Sequence, residues 1–162
     1  MAVTQDILQT YLSPTRVTLR LLADGRQEVR ALIFVLLAGV LLFVAQSPFQ
    51  AREAHINPEG PVEVRLYWSA IIWIFMMPLA LYVLAALVWG ISKLARRQIT
   101  GYAVRFTLFW AVLASTPLAL LVGMVAGFIG PGLELRIVGF IWCAVFAWFW
   151  VAGLIAADRT AS

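Results

Sequence analysis

The feature that most constrains this chain is a set of four uncharged, apolar stretches, each 21 to 28 residues long. A bilayer hydrocarbon core of about 30 Å is crossed by about 20 helical residues, so each stretch can cross once. In lipid the backbone must satisfy its own hydrogen bonds, which favours helices. We therefore predict an all-α fold, a polytopic membrane helical bundle of about four transmembrane helices. The predicted spans are about 31–50, 66–92, 106–130 and 137–157.

Composition supports this assignment. Hydrophobic residues make up 63% of the 162 residues and charged residues only 12%, whereas soluble domains carry about 25% charged residues. A water-soluble fold has no means of hiding so much apolar surface. We divide the chain into a leader (1–30), a four-helix transmembrane bundle (31–158) and a short tail (159–162).

The leader carries an amphipathic pattern with helix start and stop signals. Ser13-Pro14 is typical of a helix start, and Asp24-Gly25 of a stop. We predict one or two short helices over residues 4–23, lying at the cytoplasmic membrane surface as an interfacial element. The alternative is a cap that packs on the bundle and faces solvent. The apolar positions that suggest a helical face are Ile7, Leu8, Tyr11 and Leu12.

Lysine and arginine are distributed unequally about the predicted spans. Nine of the twelve lie on the side that carries both chain ends. By the positive-inside rule both termini face the cytoplasm, and we expect a bacterial inner (plasma) membrane. These basic residues are sparse and flank spans, which argues against nucleic acid and for contact with anionic lipid. The residues expected to contact the membrane surface are Arg16, Arg20, Arg96 and Arg97.

No constellation of residues suggests catalysis. The four spans contain no Asp, Glu, Lys, Arg or His, although proton relays and ion sites normally need such residues at membrane depth. His55 is expected to be a solvated loop residue and Cys143 a small packing residue, so we expect no metal and no cofactor. An enzyme would have to draw acid and base groups from His55, Glu59 and Glu63 in the first connection, which is more simply a solvated loop.

Two internal prolines, Pro78 and Pro117, predict kinks, because each removes a helix hydrogen bond. Ser115 and Thr116 are expected to bond backward to carbonyls freed by the second proline. The four residues from Pro78 recur from Pro117 in a helix of opposite direction. Inverted repeats with interrupted helices mark some transporters, whereas chance similarity between Leu/Ala-rich segments explains the match equally simply.

Small residues recur at every fourth position of the third span and predict close helix packing. The third-span ridge is Ala111, Ser115, Ala119, Gly123 and Gly127, and the fourth span offers a partner series in Gly139, Cys143 and Ala147. Packing inside the bundle and an interface with another membrane protein or a second copy both remain open.

A family resemblance covers residues 13–156. It is carried by Ser13-Pro14-Thr15-Arg16 in the basic leader, by the third-span stretches 106–110 and 114–118, and by a Trp-rich last span ending near Gly153-Leu154. In these respects the chain resembles a small bacterial-type member of the Yip family, the Ypt/Rab-interacting membrane proteins. The resemblance implies a membrane bundle with an interaction or lipid-related role. The family usually has five spans and, in eukaryotes, a long cytoplasmic N-terminal region, so Rab binding is not implied.

Taken together, the residues predict a non-enzymatic integral membrane protein. It would act through helix–helix association as an accessory, assembly or membrane-organising factor. The alternative function is a small transporter or lipid-handling protein. The predicted partners are the lipid bilayer and another membrane protein or a second copy.

Overall fold

The computed structural model describes residues 3–57 and 61–161, and within them it is all-α, with no β-strand. Two short helices precede four long helical rods, the second of which changes winding in its middle. The elements are α1 (Val3–Leu12), α2 (Pro14–Ala23), α3 (Glu28–Ile56), α4 (Val62–Ala70), a π-helical segment (Ile71–Met76), α5 (Met77–Leu94), α6 (Gly101–Phe128) and α7 (Leu133–Ala161).

Four helices are long and apolar enough to cross a membrane, which confirms the predicted membrane helical bundle. They are span 1 (Glu28–Ile56), span 2 (Glu63–Leu94), span 3 (Gly101–Phe128) and span 4 (Leu133–Arg159). Span 2 is continuous through α4, the π-helical segment and α5. The protein is therefore an integral membrane protein, with four helical spans in the part of the chain that the structure describes.

The helices extend beyond the apolar stretches that predicted them. Span 1 continues past Arg52 to Ile56, so the first connection begins at Asn57 and is shorter than the predicted exposed loop. The Arg52 side chain folds back and donates to the Gly127 carbonyl of span 3 at 3.4 Å. Arg52 thus lies on the helix rather than in a loop, while Pro58, Glu59 and Gly60 lie outside the described residues.

Span 3 is the centre of the bundle. Its segment from Phe106 to Thr116 is buried without interruption, because spans 1, 2 and 4 and the leader helices all pack against it. Spans 2 and 4 are mostly exposed, and much of their exposed surface is apolar. Such a surface is stable when lipid tails cover it, since lipid is as apolar as the side chains.

Gly39 brings span 2 unusually close to span 1. A Cβ added at Gly39 would lie 2.6 Å from the Trp73 carbonyl oxygen, in the π-helical segment. Only a residue without a side chain allows that approach.

Two helices end next to a glycine that adopts a left-handed backbone. Gly25 has a φ of +89° just after α2, and Gly130 a φ of +95° just after α6. Glycine takes this conformation without the steric cost that a Cβ imposes. The stop predicted at Asp24-Gly25 is thus confirmed.

Pro117 interrupts the backbone hydrogen bonding of α6 without ending the helix. It has no N–H to donate to the carbonyl four residues earlier, that of Leu113. The Thr116 hydroxyl donates to this carbonyl at 2.8 Å, and the Ser115 hydroxyl donates to Val112 at 2.9 Å. The predicted bond to a freed carbonyl is therefore confirmed for Thr116, whereas Ser115 bonds backward to a carbonyl that Pro117 does not free. Pro78, the other predicted kink, lies in the first turn of α5, directly after the π-helical segment.

Candidate functional site: the leader hairpin and the basic end

The two leader helices form a helical hairpin, which we call the leader hairpin (residues 3–23). Its turn lies at Ser13, directly before the predicted start at Pro14. Across the hairpin the Arg20 guanidinium forms an ion pair with the buried Asp6 carboxylate and donates to Gln9 Oε1 at 3.2 Å. The ion pair compensates the cost of burying a carboxylate.

The leader hairpin packs on spans 3 and 4 through two aromatic contacts near its turn. The Trp110 Nε1–H donates to Thr10 Oγ1 at 3.2 Å in a buried position. The Tyr11 ring meets Phe149 edge-on, with ring centroids 5.0 Å apart. Desolvation by burial raises the pKa of the Tyr11 phenol. The leader therefore packs on the bundle, while its predicted position at the membrane surface stays a prediction.

The hairpin turn lies beside spans 3 and 4 at some distance from their charged ends, toward the middle of each span. Trp110 lies five positions after Arg105, which is about 7 Å along the helix. Phe149 lies nine positions before Asp158, or about 13 Å. The turn is thus beside the apolar part of spans 3 and 4. Leu12, next to the turn, is 85% exposed.

We call the end of the bundle where span 1 begins and span 2 ends the basic end. There Glu28 accepts from both Arg26 at 2.9 Å and Arg105 at 2.8 Å. The Gln27 backbone N–H donates to the Tyr102 hydroxyl at 3.1 Å. These bonds join the start of span 1 to the start of span 3.

The four arginines expected at the membrane surface have different environments. Arg20 is paired with Asp6, and Arg97 forms an ion pair with Asp158. Arg16 is exposed, without an ion-pair or hydrogen-bond partner in the described part of the chain. Arg96 is also exposed and has a left-handed backbone, with a φ of +56°, just after α5.

The small-residue ridge of span 3 packs against span 1. Ala111 and Ser115 are fully buried, and Ala119 is nearly so. A Cβ at Gly123 would lie 1.8 Å from the Ala45 carbonyl oxygen, and one at Gly127 would lie 2.4 Å from the Pro48 Cβ. The Gly123 and Gly127 part of the ridge is therefore covered by span 1 of the same chain.

The partner series predicted on span 4 does not face this ridge. Cys143 and Ala147 are exposed, and a Cβ at Gly139 would meet nothing within 4 Å. The close approach of spans 3 and 4 occurs instead at Gly153, where a Cβ would lie 3.0 Å from the Thr107 Cβ. No spacing pattern in the sequence singled out Gly153.

An apolar cavity of about 220 Å³ lies between the four spans. Each span contributes to its wall, and the side chains that line it are aliphatic or aromatic or belong to methionine. They include Leu42 of span 1, Trp73 of span 2, Val112 of span 3 and Trp142 of span 4.

The residues considered for chemistry are dispersed. Within residues 3–57 and 61–161 no group of three or more His, Cys, Asp or Glu side chains is arranged to hold a metal ion. His55 lies in the last turn of α3 rather than in a loop, because span 1 is longer than predicted. Cys143 is exposed on span 4 and does not serve internal packing. Glu63 is exposed, and Glu59 lies outside the described residues.

Comparison of the chain with protein-family models, with curated proteins and with solved structures found no match. The fold and the site define a four-span helical membrane protein with a leader hairpin packed beside its central helix.

Proposed function

We propose that this protein is a non-enzymatic, Yip-like membrane protein that organises the bilayer, and that its leader hairpin is a wedge in one leaflet. The observation that carries the proposal is the position of the hairpin turn beside the apolar part of spans 3 and 4, at Trp110 and Phe149. The resemblance of residues 13–156 to the Yip family agrees with such a role.

The wedge follows from the cross-section of the bundle. Near the basic end, the two leader helices lie beside the four spans, while the opposite end has the four spans alone. A helix with its side chains is about 10 Å wide, so the two leader helices add roughly 200 Å² to one leaflet. An area excess in one leaflet favours bending toward the other.

The apolar side chains near the hairpin turn support its insertion into lipid. Leu8 is 69% exposed and Leu12 is 85% exposed. Covering an exposed leucine with lipid is worth about 1.5–3 kcal/mol. The excess of basic residues near this end supports our proposal that it lies, with both termini, at the cytoplasmic face of a bacterial inner membrane.

Vesicle size tests the wedge. We would reconstitute the protein at increasing protein-to-lipid ratios and measure vesicle diameters by electron cryomicroscopy. Wild-type protein is expected to reduce the mean diameter as its density rises. The double variant Leu8→Glu/Leu12→Glu should reduce it less, because the charges keep the turn out of lipid. Leu94→Glu, also at the basic end and 86% exposed in the wild type, is the matched control. Wild-type vesicles as large as empty ones would refute the wedge.

Helix–helix association is the second part of this proposal. Because Gly123 and Gly127 pack on span 1, an association surface would have to use other residues, and we assign it to the exposed face of span 4 around Gly139, Cys143 and Ala147. Oxidative crosslinking through Cys143 in native membranes tests this assignment. A crosslinked dimer or a crosslinked second protein is expected, and an uncrosslinked monomer would contradict it.

A small transporter or lipid-handling protein is the alternative function, favoured by the apolar cavity of about 220 Å³ between the spans. The π-helical segment ahead of Pro78 also lies in one wall of that cavity, at Trp73. This function predicts solute or lipid flux in reconstituted vesicles above that of empty vesicles. It further predicts that Pro78→Ala and Pro117→Ala together reduce the flux.

A further inference from the structure

A crevice of about 430 Å³ opens at the basic end, between the end of span 2 and the start of span 3. Its walls are Arg26 from the segment before span 1, Trp89 from span 2, and four residues around the first turn of span 3. Those four are Thr100, Gly101, Tyr102 and Arg105. The crevice thus joins three separate parts of the chain.

The crevice carries an excess of positive charge. Arg26 and Arg105 share a single carboxylate, that of Glu28, so one positive charge remains uncompensated. The Lys93 ammonium lies 5.8 Å from the centroid of the Trp89 ring and adds a second. Glu28 accepts from Nε and Nη2 of Arg26 and from Nη2 of Arg105, so it leaves the Nη1 group of each guanidinium untaken. Guanidinium groups with free donors bind phosphate oxygens strongly and directionally.

A second cavity, of about 250 Å³, continues from this crevice along span 2. It shares Trp89, Gly101 and Arg105 with the first and adds Tyr82, Ala85 and Ala86. Between Tyr82 and Trp89 the helix rises about 10 Å toward the middle of the span. The alanine side chains leave room there for an apolar chain.

From these adjoining cavities we infer a binding site for an anionic phospholipid. The phosphate lies between Arg26 and Arg105, and an acyl chain follows span 2 past Ala86. The positive cavity lies at the water boundary and the apolar one toward the hydrocarbon, which matches the two parts of such a lipid. The inference goes beyond the proposed function, since it names a ligand, and it does not depend on the leader hairpin bending the membrane.

Native mass spectrometry of the whole protein in mild detergent tests the site. The probes are phosphatidylglycerol, phosphatidylcholine of equal chain length and inorganic phosphate. Arg26→Gln/Arg105→Gln should weaken phosphatidylglycerol binding about tenfold or more, because charge-assisted hydrogen bonds are lost. There are two controls, Arg159→Gln at the same end and the double variant Arg136→Gln/Arg159→Gln. The double variant removes as many positive charges as Arg26→Gln/Arg105→Gln does. Little change in phosphatidylglycerol binding is expected in either control.

Ala86→Leu separates a lipid from a free phosphate. It fills the apolar cavity at an exposed position, so it leaves the fold and the charges intact. We expect weaker phosphatidylglycerol binding and unchanged phosphate binding, whereas Ala80→Leu, exposed elsewhere on span 2, should change neither. Equal binding of phosphatidylcholine and phosphatidylglycerol, or equal loss in the arginine variants and their controls, would overturn the inference. If the protein binds inorganic phosphate and Ala86→Leu leaves phosphatidylglycerol binding unchanged, the inference is also overturned, in favour of a phosphate site.

Discussion

The indole N–H of Trp110 donates to the hydroxyl oxygen of Thr10, although 100 positions separate the two residues. The Thr10 hydroxyl in turn donates to the Asp6 carbonyl at 2.7 Å, so its oxygen is free to accept from the indole. Both residues are buried. This short chain of hydrogen bonds therefore fixes the leader hairpin against span 3 in surroundings where an unpaired donor is costly.

Replacing Thr10 by Val should destabilise the protein by about 1–3 kcal/mol, because it leaves the buried Trp110 donor without a partner. Trp110→Phe should lower the free energy of unfolding less in the Thr10→Val variant than in the wild type, since it removes the unpaired donor. Titration with SDS from mild detergent measures the free energy of unfolding of the wild type, the two single variants and the double variant. Additive effects of the two substitutions would show that the hydrogen bond contributes nothing.

The depth of the hairpin turn gives a second prediction. A nitroxide attached through Leu12→Cys, in a Cys143→Ser background, should relax strongly with oxygen, which concentrates in hydrocarbon. A nitroxide at Ala95→Cys, exposed just after α5, should respond to a water-soluble nickel complex instead. Electron paramagnetic resonance of the reconstituted protein measures both accessibilities. If the two labels respond alike, the hairpin lies at the membrane surface.

Local features of this fold could be predicted from the sequence. The four spans follow from the apolar stretches, and the Thr116 bond to the Leu113 carbonyl follows from the position of Pro117. Each span depends on one continuous apolar stretch, and the Thr116 bond depends on residues within about one helical turn. The break at Gly25 belongs to the same class, because glycine acts on its own backbone.

Long-range features could not be predicted in this way. An amphipathic leader has the same pattern whether lipid or protein covers its apolar face, so the contact between Tyr11 and Phe149 leaves no separate signal. The same holds for the approach of Gly39 to Trp73, which involves a π-helical segment that periodicity does not reveal. The crevice between Arg26 and Arg105 also requires knowing which helix ends meet.

The packing of Gly123 on span 1 gives a third prediction. Gly123→Ala should destabilise the bundle by about 1–3 kcal/mol, because the added methyl overlaps the Ala45 carbonyl and forces spans 1 and 3 apart. Gly90→Ala is the matched control, since a Cβ there meets nothing within 4 Å. The control should be neutral or slightly stabilising, as alanine favours helix. Thermal unfolding in detergent distinguishes them, and equal midpoints would contradict this packing.

The pairing of Thr116 with the freed Leu113 carbonyl gives the fourth prediction. Thr116→Val keeps the side-chain shape and removes the hydroxyl, so it leaves the Leu113 carbonyl without this donor and should lower the free energy of unfolding by about 1–3 kcal/mol in the wild type. In a Pro117→Ala background the residue at 117 regains its N–H, which can donate to the same carbonyl. Thr116→Val should therefore cost clearly less there.

A double-mutant cycle measured by SDS titration gives this difference directly, and Ser115→Ala in the same two backgrounds is the control. The Ser115 hydroxyl donates to the Val112 carbonyl, which Pro117 does not free, so its cost should be the same in both. An equal cost of Thr116→Val with and without the proline would show that the hydroxyl does not replace the lost backbone bond.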